Sequence, residues 1–410
     1  MKVEETLAFV REHRDEDPLK LLLQQGRYPE VDMRQVAQQI EGQRQASTKW
    51  PTFAACEGVL YPPKLNREQS SSETTAKLKA EILLGCYSGE DSGHMFNSGT
   101  ELITMAADLT GGMGIDSMAL ARVAKHVDYI ERDAELCRIM EHNCEALGIN
   151  NISIHCEDSI DWLAKKDLHF DAIIVDPARR DSHGRKVAAF EDCTPNIVEQ
   201  KELIADKCEW LMVKASPMMD IDIGVKQLGC VREVHVVAVR GECKEVVFVG
   251  KVGEVSEEAV IYAHNIIMGG GQRRQFRFRR SEEAAAEATY CRQVKRYLYE
   301  PDAALMKCGP YKLLCDNRRF EKLDRNTHLY TSDELVEWSG RVFTVVGEVR
   351  LDKKNIVTAI PDRKAHVMVR NYPAEAAALQ KKLGLSEGGE LFVVATTVAG
   401  ERKGFVCRAS

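Results

Sequence analysis

The sequence predicts an α/β protein whose core is a mostly parallel sheet of the nucleotide-binding type. Three observations between residues 105 and 252 carry this prediction: four apolar runs that each stop at an acidic residue, a glycine-containing turn after the first run, and two β-type runs joined by a short turn. Ligands of open parallel sheets bind beyond the carboxyl ends of the strands. The acidic residues therefore predict one ligand site.

The first apolar run ends in the turn Asp108-Leu109-Thr110-Gly111-Gly112-Met113-Gly114, after which a helical pattern begins. Glycines let a backbone approach a ligand closely, and a helix that starts there directs amide groups at it. The second run, 127–130, ends in Glu131. Because a carboxylate after the second strand can accept both hydroxyls of a ribose, the pair predicts a cofactor that contains a nucleoside.

The next runs place more acids at the same predicted edge. Run 152–156 is followed by Glu157-Asp158-Ser159, and run 170–175 is followed by Asp176-Pro177. Run 210–214 is typical of a fifth buried strand. Runs 231–239 and 244–249, separated by Arg240-Gly241-Glu242, predict a β-hairpin.

The turn lacks the three glycines of the dinucleotide fingerprint G-x-G-x-x-G, since Asp116-Ser117 stands where the third would fall. It resembles motif I of the class I S-adenosylmethionine-dependent methyltransferases, D-x-G-x-G-x-G, with Thr110 in place of the first glycine. The resemblance implies that S-adenosylmethionine is the cofactor, that Glu131 holds its ribose, and that Asn143 lies at the family's spacing after it. The implied cofactor contacts also include Asp108, Thr110, Gly111, Gly112, Gly114, Asp158 at the adenine amino group, and Ser159 at the cap of the next helix.

Asp176-Pro177-Ala178-Arg179 stands where nucleobase and protein N-methyltransferases carry [D/N/S]-P-P-[Y/F/W], although the second proline and the aromatic residue are missing. The resemblance implies a catalytic loop of Asp176, Pro177, Arg179 and Arg180. Asp176 would orient an acceptor amine and accept its proton or hydrogen bond, while the two arginines would fix a phosphate or a base plane. The expected substrate is RNA, with tRNA or rRNA favoured.

The segments 176–181, 216–220 and 242–245 resemble landmarks of a bacterial methyltransferase family, known mainly from Bacteroidetes-type bacteria, that carries a C-terminal THUMP-like domain. This resemblance implies a Rossmann-like, seven-stranded class I sheet with a terminal antiparallel hairpin. The expected parts are a helical N-terminal subdomain (1–92), the methyltransferase domain (93–252), a linker and strand region (253–281), a small ferredoxin-like α/β module (282–330) and the THUMP-like domain (331–410).

Composition restricts the remaining possibilities. A chain of 410 residues suggests two to four domains, and 44% hydrophobic residues suffice for packed cores. No apolar run approaches the length of a membrane span, so we expect no membrane-spanning segment. We also expect no secretory signal, because the first residues lack a basic segment followed by an apolar core. The 13 cysteines form no C-x-x-C pair, so we expect reduced thiols and a cytoplasmic location.

The N-terminal stretches 6–25, 31–40 and 71–84 show helical spacing of apolar residues. We expect a helical cover on one sheet edge, with Glu73 completing a capping box. The alternative is a lid whose loop 68–70 reaches the cofactor or the substrate. At the other end of the chain, strands near 343–346, 366–369, 390–396 and 404–406 with a helix at 374–383 are expected.

A basic segment follows the glycines 269–271 and is the strongest candidate for RNA contacts in a chain of net charge −7. A solvated charged strand would have the same composition, so this alternative stays open. If the segment is a strand, Arg277 and Arg279 share a face opposite Phe276 and Phe278. The candidate RNA-binding residues are Arg273, Arg274, Arg277, Arg279 and Arg280.

Other functions have less support in the sequence. A methyltransferase fold that has lost catalysis and only binds RNA would explain the altered motif at Asp176, and an NAD-dependent oxidoreductase would need the dinucleotide turn that is missing. Metal and serine hydrolysis lack their motifs. His183 and His235 are expected to be structural, and His94 with Phe96 either covers the cofactor's methionine end or lies in a surface loop.

Overall fold

A computed structural model describes residues 3–89, 102–179, 189–254, 258–267 and 273–410 of the chain. The chain divides into two compact units. The first unit comprises Met1–Arg232 and Val247–Glu257, and the second comprises Glu233–Val246 and Glu258–Ser410.

Helices make up the N-terminal part of the first unit. Their bounds are α1 (Val3–His13), α2 (Pro18–Leu22), α3 (Met33–Lys49), α4 (Pro51–Ala54), α5 (Lys64–Gln69) and α6 (Glu73–Ser88). The predicted helical stretch 6–25 is two helices, because Pro18 starts α2 and the Asp17 side chain accepts a hydrogen bond from the Leu19 amide at 2.9 Å.

Glu73 does not complete the predicted capping box. Ser72 caps α6 by accepting the hydrogen bond of the Thr75 amide at 3.2 Å. The carboxylate of Glu73 instead accepts hydrogen bonds from the amide and the hydroxyl of Thr52, at 2.8 and 2.6 Å. The S-x-x-E pattern failed because the helix begins at Glu73, so this residue occupies the first helical position and its side chain joins α6 to α4.

Strands and helices then alternate through the first unit. The elements are β1 (Ile103–Asp108), α7 (Ile115–Leu120), β2 (Ala124–Glu131), α8 (Ala134–Leu147), β3 (Ile152–Cys156), α9 (Ser159–Lys165), β4 (Phe170–Val175), β5 (Ala178–Arg179), β6 (Cys193–Thr194), α10 (Lys201–Lys207), β7 (Cys208–Ala215) and α11 (Ile221–Leu228). The predicted runs 152–156 and 170–175 coincide with β3 and β4.

The central strands lie in the order β7-β4-β1-β2-β3, and each neighbouring pair is parallel. Crossovers through helices cover both faces, which explains why the strand interiors are almost wholly apolar. The register aligns Asp108 with Tyr129, and Glu131 with Cys156. The carboxyl ends of β1, β2, β3 and β4 therefore meet at one edge, as the sequence predicts.

The predicted hairpin is present as β8 (Val231–Val239) and β9 (Glu242–Lys251). Its turn residues Arg240 and Gly241 have φ values of 54° and 78°, and two left-handed residues are typical of a tight type I′ hairpin turn. In the second unit β10 (Val260–Ile266) pairs parallel with β8, and β11 (Arg273–Phe278) pairs antiparallel with β10. The sheet therefore has nine strands, two more than the predicted seven. His264 and Asn265 interrupt the apolar run of β10, which weakens its strand pattern.

The second unit also holds a seven-stranded sheet in the order β13-β14-β12-β15-β18-β17-β16. Its elements, with the helices of this unit, are α12 (Arg280–Ala285), β12 (Tyr297–Pro301), α13 (Ala303–Cys308), β13 (Glu321–Asp324), β14 (Thr327–Ser332), β15 (Gly340–Glu348), α14 (Lys353–Ala359), β16 (His366–Arg370), α15 (Ala376–Leu383), β17 (Leu391–Val398) and β18 (Glu401–Ala409). The sheet runs through both expected modules, 282–330 and 331–410. Helix α14 was not predicted, since it is short and begins with polar residues.

This sheet curls on itself. Asn371, directly after β16, donates a hydrogen bond to Oγ1 of Thr327 on β14 at 2.9 Å, although four strands separate β14 from β16 in the sheet order. Leu298, Phe343 and Phe405 lie in the apolar cluster that the curled sheet encloses. Among the described residues, no helix has the length and apolarity needed to cross a membrane.

Candidate functional site

A cleft of about 650 Å³ opens at the carboxyl edge of the central sheet in the first unit. Its wall is formed by the glycine turn, the ends of β2, β3 and β4, the segment 194–196, and part of the N-terminal helical region. The predicted site residues in this wall are Thr110, Gly111, Gly112, Gly114, Glu131, Asp158, Ser159 and Asp176. Asp108 and Pro177 lie next to the wall in sequence and do not line it.

The backbone conformation and the surroundings of the glycine turn disfavour any residue with a side chain. Gly112 and Gly114 have φ values of 54° and 80°, in the left-handed region that favours glycine. At Gly111 the obstacle is space, because a Cβ atom there would overlap the ring of Tyr129. The Tyr129 hydroxyl also donates a hydrogen bond to the Gly112 carbonyl at 2.7 Å. The turn is thus held close to β2 and presents bare backbone to the cleft.

Asp108 holds this turn from behind. Its carboxylate accepts hydrogen bonds from the Ser117 hydroxyl at 2.6 Å and from the Thr110 amide at 3.0 Å, and its side chain is buried. Burial, with smaller contributions from the charges of Asp116 and Asp176, raises the pKa of Asp108 to about 7. Asp108 therefore shapes the glycine turn from inside the protein.

Glu131 lies at the end of β2 and faces the cleft. Its two carboxylate oxygens accept hydrogen bonds from the amides of Gly112 and Asp133, both at 2.9 Å. Each oxygen of an ionised carboxylate can accept more than one hydrogen bond. The two amides thus fix the orientation of the carboxylate while leaving acceptor capacity for two hydroxyl groups.

After β3, the residue that caps α9 is Asp158 and not the predicted Ser159. Asp158 is the N-cap of α9 and accepts hydrogen bonds from the amides of Ile160 and Asp161, at 3.0 and 3.2 Å. Ser159 is the first helical residue instead of the cap. Asp158 is the better N-cap here because its carboxylate reaches two free amides of the first turn. Both residues remain in the wall of the cleft.

Asp176 is fixed by two contacts at the end of β4. Its amide donates a hydrogen bond to the Thr110 hydroxyl at 2.6 Å, which ties the fourth strand to the glycine turn. Its Oδ2 atom forms an ion pair with Nζ of Lys214, a largely buried side chain at the end of β7. Asp176 lines the cleft, and its side chain is 39% exposed. The sequence does not indicate a role for Lys214, because a lysine near the end of an apolar strand is common.

Two short strands follow β4 in sequence. Ala178 and Arg179 form β5, which pairs antiparallel with β6, and Ala178 pairs with Thr194. Thr194, Pro195 and Asn196 line the cleft, a contribution that no motif in the sequence indicates. Arg180, His183, His94 and Phe96 lie outside the described residues.

The N-terminal helical region forms part of the wall of the cleft. A lid over the cofactor or the substrate was one of two expectations for this region. Asn66 and the segment Gln69–Ser71 line the cleft. Ser71 donates a hydrogen bond to Asp116 at 2.8 Å, and Lys79 contacts both Ser71 and Asp116, at 2.7 and 3.0 Å. Although burial acts to raise it, the pKa of Asp116 is lowered, chiefly by Lys79 and Lys214. This network joins the loop before α6 to the first turn of α7.

Asn143, at the family's spacing after Glu131, is fully buried on α8. Its amide group accepts a hydrogen bond from the Leu60 amide at 2.8 Å and donates one to the Leu60 carbonyl at 2.9 Å. Asn143 therefore ties the N-terminal region to α8. A chain segment crossing α8 satisfies both of its polar atoms, so its role here is structural.

The predicted basic segment lies in the second unit, where Arg273–Phe278 form β11. Arg277 and Arg279 are exposed while Phe278 between them is buried, which agrees with the expected alternation. Several of these arginines also have partners within the protein: Arg279 donates to the Glu258 carbonyl at 2.7 Å, Arg280 donates to the Cys308 carbonyl at 2.6 Å, and Arg274 pairs with Glu337 at 3.5 Å. His235 is buried and hydrogen-bonded to His264 at 2.9 Å, as expected for a structural residue.

Comparison with known proteins assigns three segments. Residues 93–233 match the family described as conserved hypothetical protein 95, residues 297–338 match a ferredoxin-like domain, and residues 340–409 match the THUMP domain-like family. The whole chain is similar to the crystal structure of a presumptive methyltransferase from Porphyromonas gingivalis W83, at 28% identity and a TM-score of 0.83, with 100% of this chain and 98% of that chain covered. The chain joins a class I methyltransferase fold to a THUMP-like domain.

The chain is also similar to an uncharacterised RNA methyltransferase of Mycoplasma mobile, at 29% identity over 151 residues. The match covers 36% of this chain and 37% of the Mycoplasma protein. A presumptive methyltransferase from Streptococcus mutans, solved with S-adenosylhomocysteine, is similar at 12% identity and a TM-score of 0.29, over 44% of this chain and 96% of that one.

Proposed function

We propose that the protein is an S-adenosylmethionine-dependent methyltransferase that acts on RNA. The observation that carries the proposal is the cleft itself, in which a glycine turn and acids from three consecutive strand ends meet. This is the place where an open parallel sheet binds its ligand. The matched family and the full-length structural relative support the same class.

The donor groups of the cleft fit this cofactor. The oriented carboxylate of Glu131 suits the ribose hydroxyls, and the bare turn Thr110–Gly114 suits a methionine chain that passes close to the backbone. Ile130, Leu136 and Ile160 add apolar surface beside Asp158, which suits an adenine ring with an amino group at its edge. Because Gly111 and Gly112 have no side chains, they would not obstruct the methionine chain of the cofactor.

When bound, S-adenosylmethionine supplies a methyl group on a positively charged sulfur. The protein's part is to place the acceptor in line with that group, and positioning of this kind accounts for much of the barrier in displacement reactions. Asp176 would accept a hydrogen bond from the acceptor amine through Oδ1, while Lys214 and Thr110 hold its carboxylate and its backbone in place. Arg179 and Arg180 are proposed to contact the phosphate or the base of the substrate.

RNA is the proposed substrate, with a tRNA or rRNA base amine as the acceptor. The Mycoplasma relative is named as an RNA methyltransferase, and the THUMP-like domain and the exposed Arg277 and Arg279 support the same substrate class. All 13 cysteines are free thiols, which fits the reducing cytoplasm in which such RNA is found.

The direct experiment is methyl transfer from labelled S-adenosylmethionine to total RNA from a strain that lacks the protein, followed by mass spectrometry of the nucleosides. We expect one methylated nucleoside that depends on the wild-type protein and is missing with Asp176→Asn. Binding of the cofactor and of RNA without any transfer would favour the alternative of a methyltransferase fold that only binds RNA.

A further inference from the structure

A buried carboxylate in the second unit is held by two arginines. Glu300 on β12 is 5% exposed. Its Oε2 atom accepts a hydrogen bond from Nε of Arg341 on β15 at 2.6 Å and lies 2.5 Å from Nη2 of the same guanidinium in an ion pair. Its Oε1 atom accepts a hydrogen bond from Nε of Arg370 on β16 at 2.7 Å and lies 2.5 Å from Nη2 of that guanidinium. Glu300 and Arg341 face each other on the neighbouring strands β12 and β15, whereas β16 is separated from β15 by β18 and β17 in the sheet order, so Arg370 joins the far end of the curled sheet to this pair.

The triad of Glu300, Arg341 and Arg370 carries a net positive charge. One carboxylate neutralises one of the two guanidinium groups, so the cluster keeps a net charge of about +1 by simple addition. The side chains of Arg341 and Arg370 are 53% and 42% exposed. Nη1 of Arg370 donates to the Val369 carbonyl at 2.8 Å, whereas Nη1 of Arg341 has no hydrogen-bond partner within the described part of the chain. Glu300 thus fixes two guanidinium groups whose outer faces remain open.

These arginines line a cleft that also contains aromatic rings. Its volume is about 690 Å³, and Phe392 and His366 lie in the wall with ring centroids 5.1 Å apart. Phe392 also packs edge-on against Phe343, at 5.0 Å, which fixes its ring. The carboxylates of Glu375 and Glu387 line the cleft as well, so its positive charge is confined to the arginine side.

We propose that this cleft, which we call the Arg341–Arg370 cleft, binds one phosphate of a single-stranded RNA segment and stacks the adjoining base on Phe392 or His366. The proposal rests on the proposed RNA substrate and names where in the second unit that substrate is held. Guanidinium groups match phosphate oxygens in geometry and charge, and fixed ones lose little entropy on binding. Stacking needs a base that is not paired, so the chemistry favours a single strand over a duplex.

The test is binding of a single-stranded RNA oligonucleotide of about ten nucleotides to the full chain. Arg341→Gln should weaken binding about tenfold or more, as expected for a lost charge-assisted contact, and should lower the salt slope by about one. Arg350→Gln is the matched control, because Arg350 belongs to the same unit and its side chain is 87% exposed. An Arg341→Lys variant keeps the charge and should recover only part of the affinity, because lysine lacks the planar fork.

The outcomes separate the proposal from a purely structural triad. Equal affinity and salt slope for wild type and Arg341→Gln, at unchanged melting temperature, would mean that the triad only closes the curled sheet. Tighter binding of a duplex of the same sequence would overturn the single-strand preference. S-adenosylmethionine binding and methyl transfer are measured in parallel. If wild type shows neither, the proposed function fails; if wild type shows both and Arg341→Gln methylates RNA at wild-type KM, this inference alone fails.

Discussion

Asp176 is the single residue on which the proposed chemistry depends most. Its backbone is bound to Thr110 and its Oδ2 atom to Lys214, and its side chain is 39% exposed in the cleft. The motif around it lacks the aromatic residue of the N-methyltransferase motif that it resembles. We therefore propose that Asp176 orients the substrate together with groups outside the motif, among which Thr194 and Asn196 line the same cleft.

Asp176→Asn should preserve folding and cofactor affinity while lowering turnover by about 10²–10⁴, the range for a positioned acid or base. An asparagine still accepts a hydrogen bond, so a loss at the lower end would indicate orientation and one at the upper end proton acceptance. Turnover with saturating cofactor is the measurement. Lys214→Met should also lower turnover, since Asp176 loses its ion-pair partner, whereas Lys214→Arg should restore part of it. Unchanged turnover in Asp176→Asn would remove this residue from the mechanism.

At the scale of elements, the glycine turn and the strand ends were predictable because their signals are local. A run of apolar residues, a turn that requires left-handed backbone, and an acid at the next residue are all read directly from the sequence. The N-terminal wall of the cleft could not be assigned in this way. Ser71 reaches the site through Asp116, 45 positions away, and no short pattern records a contact between segments so far apart.

The glycine turn gives a prediction at the same scale. A Cβ atom at Gly111 would overlap the Tyr129 ring, so Gly111→Ala should destabilise the first unit by about 1–3 kcal/mol through overpacking and should weaken cofactor binding. Thermal unfolding and calorimetry measure the two effects. Gly26→Ala is the control, since a Cβ there meets no atom within 4 Å. Equal melting temperatures and cofactor affinities in Gly111→Ala and Gly26→Ala would refute the close approach of the turn to β2.

Strand β11 gives a second prediction for an element. Arg277 on β11 and Arg279 directly after it are exposed on either side of the buried Phe278, and Arg279 also donates a hydrogen bond to the Glu258 carbonyl. Replacing both by alanine should lower RNA affinity and reduce the salt slope by up to about two phosphate contacts. Cofactor affinity should not change. Filter binding of RNA over a series of salt concentrations is the measurement. If affinity and slope match those of wild type, β11 is a solvated strand and RNA is held elsewhere.

At the scale of the whole molecule, the sequence predicted the methyltransferase sheet more fully than the second unit. Parallel strands bury both faces and show as continuous apolar runs, whereas β10 carries His264 and Asn265, and β16 is short and half-buried. The continuity of one curled sheet through the two expected C-terminal modules rests on pairing between β12 and β15. Such pairing depends on contacts across about 45 residues of sequence, which local patterns do not encode.

The buried histidine pair predicts how stability depends on pH. Burial, with the charges of His235 and Arg273, lowers the pKa of His264 well below its ordinary value. A lowered folded-state pKa contributes stability above the unfolded value of about 6.5 and loses it as pH falls below that value. Asp108 acts in the opposite direction, because its raised pKa favours the folded state most at low pH.

We therefore expect the melting temperature of wild type to fall relative to His264→Gln as pH is lowered from about 7 to 5. The variant removes one buried imidazole that must stay neutral, while every other titrating group is shared by the two proteins. Thermal unfolding across this pH range is the measurement. A constant difference between the two curves would show that His264 is protonated as readily in the folded protein as in the unfolded chain.

The cleft is proposed to bind S-adenosylmethionine through Glu131, and calorimetry with S-adenosylhomocysteine tests this binding most directly. Wild type should bind at one site, and Glu131→Ala should bind more weakly by about 1.5–3 kcal/mol, because a charge-assisted contact is lost. Glu135→Ala is the control, since Glu135 pairs with Arg138 on the surface of α8 and should leave affinity unchanged. Equal affinity for wild type and Glu131→Ala, or tight binding of NAD in place of S-adenosylhomocysteine, would contradict the account.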